Sequence, residues 1–252
     1  VIRGVIFDLG STLIRFDGDW DLAVEEGLQA LTRQMTADGW AVDSGALRSA
    51  FRREMEAAQR IRQKDHVEQT TGSVLRRALE TLGVPAVDDG PIQRALAALY
   101  AVSEERWHPM PGLHPMLEAL RAGGYRLGLI SNAGDEANVL RLLAAAGLGG
   151  AFEPQLISAA EGVRKPNVSL FQRILSAWDL PPGEAVMVGD TLGEDILGAQ
   201  SAGLHSIWFT ADADTPGNRA LMGRLHPEAS TDSLLALPGV IRSLDGAVRP
   251  PR

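Results

Sequence analysis

The 252-residue chain contains no cysteine. Disulfides, a thiolate nucleophile and a zinc–thiolate centre are therefore excluded, and the composition suits a reducing compartment, the cytoplasm. No apolar run approaches the ~20 residues that span a bilayer. The apolar start reads as a strand and not as a signal peptide. Positive charge is in deficit: 24 Lys and Arg face 32 Asp and Glu, a net charge of −8. That balance argues against nucleic acid or an anionic membrane as the partner. Lysine is almost missing, with only Lys64 and Lys165 among the 24 basic residues. Arginine serves elsewhere, so a retained lysine points to a place that needs a compact ammonium.

What is present is an ordinary globular composition, 45% hydrophobic and 22% charged. The length suffices for one α/β core with an insertion. Val1 to Leu13 reads VIRGVIFDLGSTL. The run Val5, Ile6, Phe7 reads as a buried strand that ends on Asp8. A carboxylate there stands at the edge where open α/β sheets bind ligands. Ile14 to Asp19 reads as a polar link. Residues 20–105 then read as four helices. Val24, Leu28, Leu31 and Met35 mark the first, and Leu47, Phe51, Met55 and Ala58 the second. Val74, Leu75, Ala78, Leu79 and Leu82 mark the third, and Ile92, Leu96 and Leu99 the fourth.

Trp107 to Pro115 reads as a rigid, proline-rich return. Helices and strands alternate from there, with strands at Tyr125–Ile130, Gln155–Ile157, Ala185–Val188 and Ser206–Phe209. Together with the first run that makes five strands of a doubly wound parallel sheet. Residues 210–240 add a loop and short helices. The predicted division is a core of residues 1–15 and 106–245, an all-helical cap of residues 16–105, and a disordered tail of residues 246–252.

Polar residues cluster at the strand ends: Asp8, Ser131 with Asn132, Lys165, and Asp190 with Asp195. Each alone would serve as a turn or helix cap. Together they offer carboxylates for a hard cation, donors for an anion and one ammonium, an inventory that suits phosphoryl transfer with magnesium.

In these residues the sequence resembles the haloacid dehalogenase-like (HAD) hydrolases. Asp8-Leu9-Gly10-Ser11-Thr12-Leu13 is similar to that family's first motif, Ser131-Asn132 to its second, Lys165-Pro166 to its third, and Gly189-Asp190 with Asp195 to its fourth. The helical block lies where the family carries its C1 cap. The resemblance implies a Rossmann-like core, Asp8 as the nucleophile that forms an aspartyl phosphate, and a small phosphorylated substrate. It implies Mg2+ held by Asp8, the Gly10 carbonyl and Asp190. Ser131 and the Asn132 N–H would hold phosphate oxygens, with Lys165 neutralising charge. Asp195 would orient Lys165 or a metal-bound water, and Thr12 would brace the loop.

One position departs from that pattern. Family phosphatases carry a second Asp two residues after the nucleophile, as acid to the leaving group and then base to water. Here that position is Gly10. Asp17, Asp19, His108, Lys64 and cap glutamates are the possible substitutes. Three rivals remain, and the same glycine keeps the first and the last of them open. A phosphonatase-like enzyme would form an imine on Lys64. A dehalogenase would use Asp8 on carbon without metal, although Gly189-Asp190 argues against it. A non-catalytic module would bind a phosphorylated ligand or a protein.

Overall fold

A computed structural model describes residues 1–85 and 88–247. The first apolar run forms β1 (Gly4–Phe7), and Val5, Ile6 and Phe7 are completely buried. Ile14 to Phe16 is not a plain link but a strand, β2 (Ile14–Phe16). Four helices follow as the periodicity predicts: α1 (Trp20–Ala37), α2 (Ser44–Asp65), α3 (Thr71–Thr81) and α4 (Asp89–Glu104). Asp19, Asp43 and Thr70 cap the first three by accepting from the backbone N–H of Leu22, Ala46 and Ser73. Such caps contribute about 1 kcal/mol each. The inward faces form a separate apolar core that includes Leu31, Met35, Leu47, Phe51, Leu75, Leu79 and Ile92.

The chain returns through β3 (Trp107–Pro109), which pairs antiparallel with β2, Phe16 opposite Trp107. The two chain crossings between helical block and sheet are thus tied into one ribbon. Aromatic contact is the physical reason. The Phe16 ring meets Trp20 at 5.0 Å and Trp107 at 5.5 Å, both edge-on, the geometry that aromatic pairs prefer.

The remaining elements alternate. They are α5 (Leu113–Ala122), β4 (Arg126–Ser131), α6 (Glu136–Ala145), β5 (Gln155–Ile157), α7 (Ser158–Glu161), α8 (Val168–Trp178) and β6 (Ala185–Gly189). A π-helical turn, Leu192–Ile196, runs into α9 (Leu197–Ser201), followed by β7 (His205–Phe209), α10 (Pro216–Leu221), β8 (Ala229–Thr231) and α11 (Leu237–Ala247). The sheet is wholly parallel in the order β5-β4-β1-β6-β7-β8. The order reverses beside β1, and the crevice at the carboxyl ends of such strands is where doubly wound folds bind ligands. Gly4 and Gly128 let the Trp178 ring lie flat on the sheet, since a Cβ on either would meet that ring at 2.5 and 2.8 Å.

Among the described residues the sheet holds six strands, not five. β8 is a three-residue edge strand whose residues are exposed or half-buried, so it carries no apolar run to betray it. Helix α8 begins at Val168, with Asn167 as its cap. Of the tail expected from Gly246, Gly246 and Ala247 close α11, and residues 248–252 lie outside the described residues.

Candidate active site

Asp8 follows β1 directly, and its backbone N–H donates to the Val188 carbonyl at 3.0 Å, which pins it to β6. The Lys165 ammonium, 1% exposed, lies 2.6 Å from Asp8 Oδ1 and 2.6 Å from Asp195 Oδ1. Burial alone would push this ammonium toward neutrality. The two carboxylates outweigh that and hold its pKa above the ordinary lysine value, so it stays charged.

Asn132 fixes the segment that carries Lys165. Its Oδ1 accepts from the Lys165 N–H at 2.8 Å, and its Nδ2 donates to the Lys165 carbonyl at 3.1 Å and to Glu194 Oε2 at 2.9 Å. The Asn132 amide is thereby committed to bracing. Ser131, at the end of β4, is buried on the wall of the same cavity.

Asp190 stands at the end of β6. Trp208 Nε1 and Asn218 Nδ2 both donate to its carbonyl, at 2.8 Å each, and Thr12 Oγ1 lies 3.4 Å from its Oδ1. Asp195 is held from the other side, accepting from the Thr191 N–H at 2.9 Å. Only a glycine fits between: a Cβ on Gly189 would lie 2.2 Å from the Asp195 carboxyl carbon.

Carboxylate oxygens of Asp8, Asp190 and Asp195 lie within 4.8 Å of one another. Burial first, then repulsion from Asp8 and Asp195, pushes Asp190 up to about 8. Burial and the Asp8 charge push Asp195 up to about 7, against the pull of Lys165. With all three ionised, one ammonium leaves two negative charges uncompensated. Hard oxygen donors with that excess fit a small divalent cation.

These groups face a cavity of about 300 Å³ lined by Asp8, Gly10, Ser131, Asn132, Asp190 and Glu194, with Trp20, Tyr100 and Trp107 closing it from the cap side. Asp195, Lys165 and Thr12 stand behind that wall. Asp17, Asp19, Lys64 and His108 are not among its lining residues. Asp19 is spent as the α1 cap and Lys64 is exposed in the last turn of α2.

Sequence reasoning missed the groups that join cap to core. Glu68, fully buried at its carboxylate, pairs with Arg62 at 2.8 Å and Arg164 at 3.2 Å, and accepts from Ser158 Oγ at 2.6 Å. Arg164 continues to Glu194 at 3.2 Å, and Glu194 to Asn132. Backbone bonds reinforce the junction, Glu68 N–H to the Gly162 carbonyl at 2.9 Å and Arg164 N–H to the His66 carbonyl at 3.0 Å. An Arg beside the rare Lys165 was the only signal in the sequence, and it does not name Glu68.

The chain is similar to several known proteins. A glyceraldehyde 3-phosphate phosphatase from Pyrococcus abyssi is 38% identical over 100 residues, 40% of this chain and 42% of that protein. A phosphoserine phosphatase from Thermus thermophilus is 34% identical over 137 residues, 54% of this chain and 52% of that protein. The chain thus spans about half or less of the length of these curated relatives. A solved 2-haloacid dehalogenase from Pseudomonas syringae pv. Tomato superposes with a TM-score of 0.67 at 26% identity, over 97% of this chain and 100% of that one. The family model for haloacid dehalogenase-like hydrolases matches residues 2–203. The chain belongs to the haloacid dehalogenase-like hydrolase family.

Proposed function

We propose that this hydrolase is a magnesium-dependent phosphatase for a small phosphorylated metabolite, working through an aspartyl phosphate on Asp8. The observation that carries the reading is the Lys165 ammonium, clamped at 2.6 Å between Asp195 and Asp8, the carboxylate that lines a 300 Å³ cavity. Asp8 attacks phosphorus, the bond from phosphorus to the leaving oxygen breaks, and the electron pair departs with that oxygen. Water then attacks the phosphorus, releases phosphate and restores the Asp8 carboxylate. Lys165 offsets charge on Asp8 and on the phosphate, and Ser131 and the Asn132 N–H hold phosphate oxygens. Asp8, Asp190 and the Gly10 carbonyl would hold magnesium, which would supply the charge neutralisation that lets a carboxylate meet a phosphate dianion. Asp195 and Thr12 keep Lys165 and Asp190 oriented.

In this reading residues 16–105 act as the cap that excludes water from a core of residues 1–15 and 106–245. The protein works in the cytoplasm, without nucleic acid or membrane as partner. No helix among the described residues is long and apolar enough to cross a membrane.

Hydrolysis of acetyl phosphate with and without magnesium, with Asp8→Asn as control, tests the reading. It expects metal-dependent turnover that the variant loses. The dehalogenase-like structural relative motivates a second reading, in which Asp8 displaces halide from carbon. That reaction would proceed without magnesium and release halide from 2-haloacids. Ligand binding without turnover, unchanged in Asp8→Asn, would instead mark a non-catalytic module.

A further inference from the structure

The helical block contains a second cavity, about 170 Å³, that shares Trp20, Tyr100 and Ser103 with the catalytic cavity. Leu28 from α1, Phe51 and Met55 from α2 and Leu99 from α4 form its remaining principal walls. None of its lining residues is charged. Its hydroxyls already have partners: Tyr100 Oη lies 2.7 Å from Thr71 Oγ1, and Ser103 Oγ donates to the Tyr100 carbonyl at 3.1 Å. Burial pushes the Tyr100 phenol up to about 12, so this wall stays neutral. An apolar cavity of about 150 Å³ accommodates a benzene ring. A charged or strongly polar group placed here would lose its hydration and gain no partner.

Gly10 constrains the leaving group independently. The position that would carry a proton donor has no side chain, and the carboxylates that do line the catalytic cavity are Asp8, Asp190 and Glu194. Glu194 is taken up by Arg164 and Asn132. A leaving oxygen must therefore be stable as an anion. A phenol, with a pKa of about 10, meets that demand far better than an aliphatic alcohol close to water at about 15.7.

We propose that the substrate is a small aryl phosphate monoester, its uncharged ring seated in the cap cavity and its phosphate over Asp8. The proposal rests on the phosphatase reading above and narrows it to a class.

The test compares kcat/KM, with magnesium, for phenyl phosphate, 4-carboxyphenyl phosphate, cyclohexyl phosphate and acetyl phosphate. Phenyl phosphate should exceed the carboxylated ring by ~10–100-fold, the discrimination one pocket provides. It should exceed cyclohexyl phosphate, equally apolar but with a poor leaving group, by ~10²-fold or more. Met55→Trp, which fills the cap cavity, should lower the ratio of phenyl to acetyl phosphate turnover about 10-fold. Its melting curve reports whether it folds, and the wild-type panel decides the question without it. Equal turnover of the two aryl esters, or cyclohexyl phosphate as the best ester, overturns the aryl assignment and leaves the phosphatase reading standing. No turnover of any compound, acetyl phosphate included, or turnover that survives Asp8→Asn, overturns the phosphatase reading itself.

Discussion

Lys165 and Asp8 form an ion pair of 2.6 Å although 157 residues separate them in the chain. The lysine is enclosed, so a planar guanidinium has no room to replace its point charge. Lys165→Gln should lower kcat for acetyl phosphate by ~10²–10³-fold, the usual loss when one charge-stabilising donor goes. Lys165→Arg should not restore it. Steady-state kinetics beside a melting curve on both variants checks this.

Gly189 and Asp195 pack too closely for any side chain between them. Gly189→Ala should force the Asp195 carboxyl away from Lys165 at a cost of about 1–3 kcal/mol, as overpacking does elsewhere. Urea denaturation reads the cost, and a fall in kcat at unchanged KM reads the displaced carboxylate.

The raised pKa values of Asp190, about 8, and Asp195, about 7, make stability without metal fall as pH rises. Both groups ionise less readily folded than unfolded. Their contribution is complete below the unfolded value near 3.8 and is lost as pH passes through about 7 and 8. Magnesium would bind the ionised form in the proposed function, so its stabilisation should grow across the same range. Thermal melting with and without magnesium at several pH values between 5 and 9 measures both trends. A magnesium-induced shift in Tm that shrinks with rising pH would contradict the assignment of Asp190 to the metal.

Gly10 has room for a side chain. A Cβ there would meet the Trp107 ring at 3.6 and 3.8 Å, ordinary contact distances. Gly10→Asp should therefore fold and place a carboxyl at the cavity that can act as acid and base. Turnover of esters with aliphatic leaving groups should rise ~10²–10⁴-fold, with little change for acetyl phosphate, whose leaving group needs no proton. The dependence of kcat/KM on leaving-group pKa, compared between wild type and variant, checks it.

Glu68 compensates two arginines in the junction between cap and core. Glu68→Ala should cost about 3–5 kcal/mol, because it leaves buried charge without its partner. Equilibrium unfolding of the variant measures the loss.

The parts of the site that were legible in the sequence share one property. Asp8, Ser131, Asn132 and Asp190 each end an apolar run, and Lys165 was distinguished by the scarcity of its kind. Local pattern sufficed because strand ends of a parallel sheet converge by topology. What escaped depends on contacts between distant segments. The pairing of β2 with β3 joins Phe16 to Trp107, and Glu68 meets Ser158 across 90 residues. β8 escaped because it is three residues long, half-exposed at the edge and without an apolar run. The π-helical turn, in which the Asp195 carboxylate accepts from the Thr191 N–H, escaped because no hydrophobic period records such a contact.

Trapping the phosphorylated enzyme tests whether Asp8 is the nucleophile. Protein mixed with acetyl phosphate and magnesium, quenched in acid and digested, should yield a peptide that contains Asp8 and carries one added phosphoryl group, with none in Asp8→Asn. A phosphoryl group on another residue, or full turnover in Asp8→Asn, would rule out Asp8 as the nucleophile.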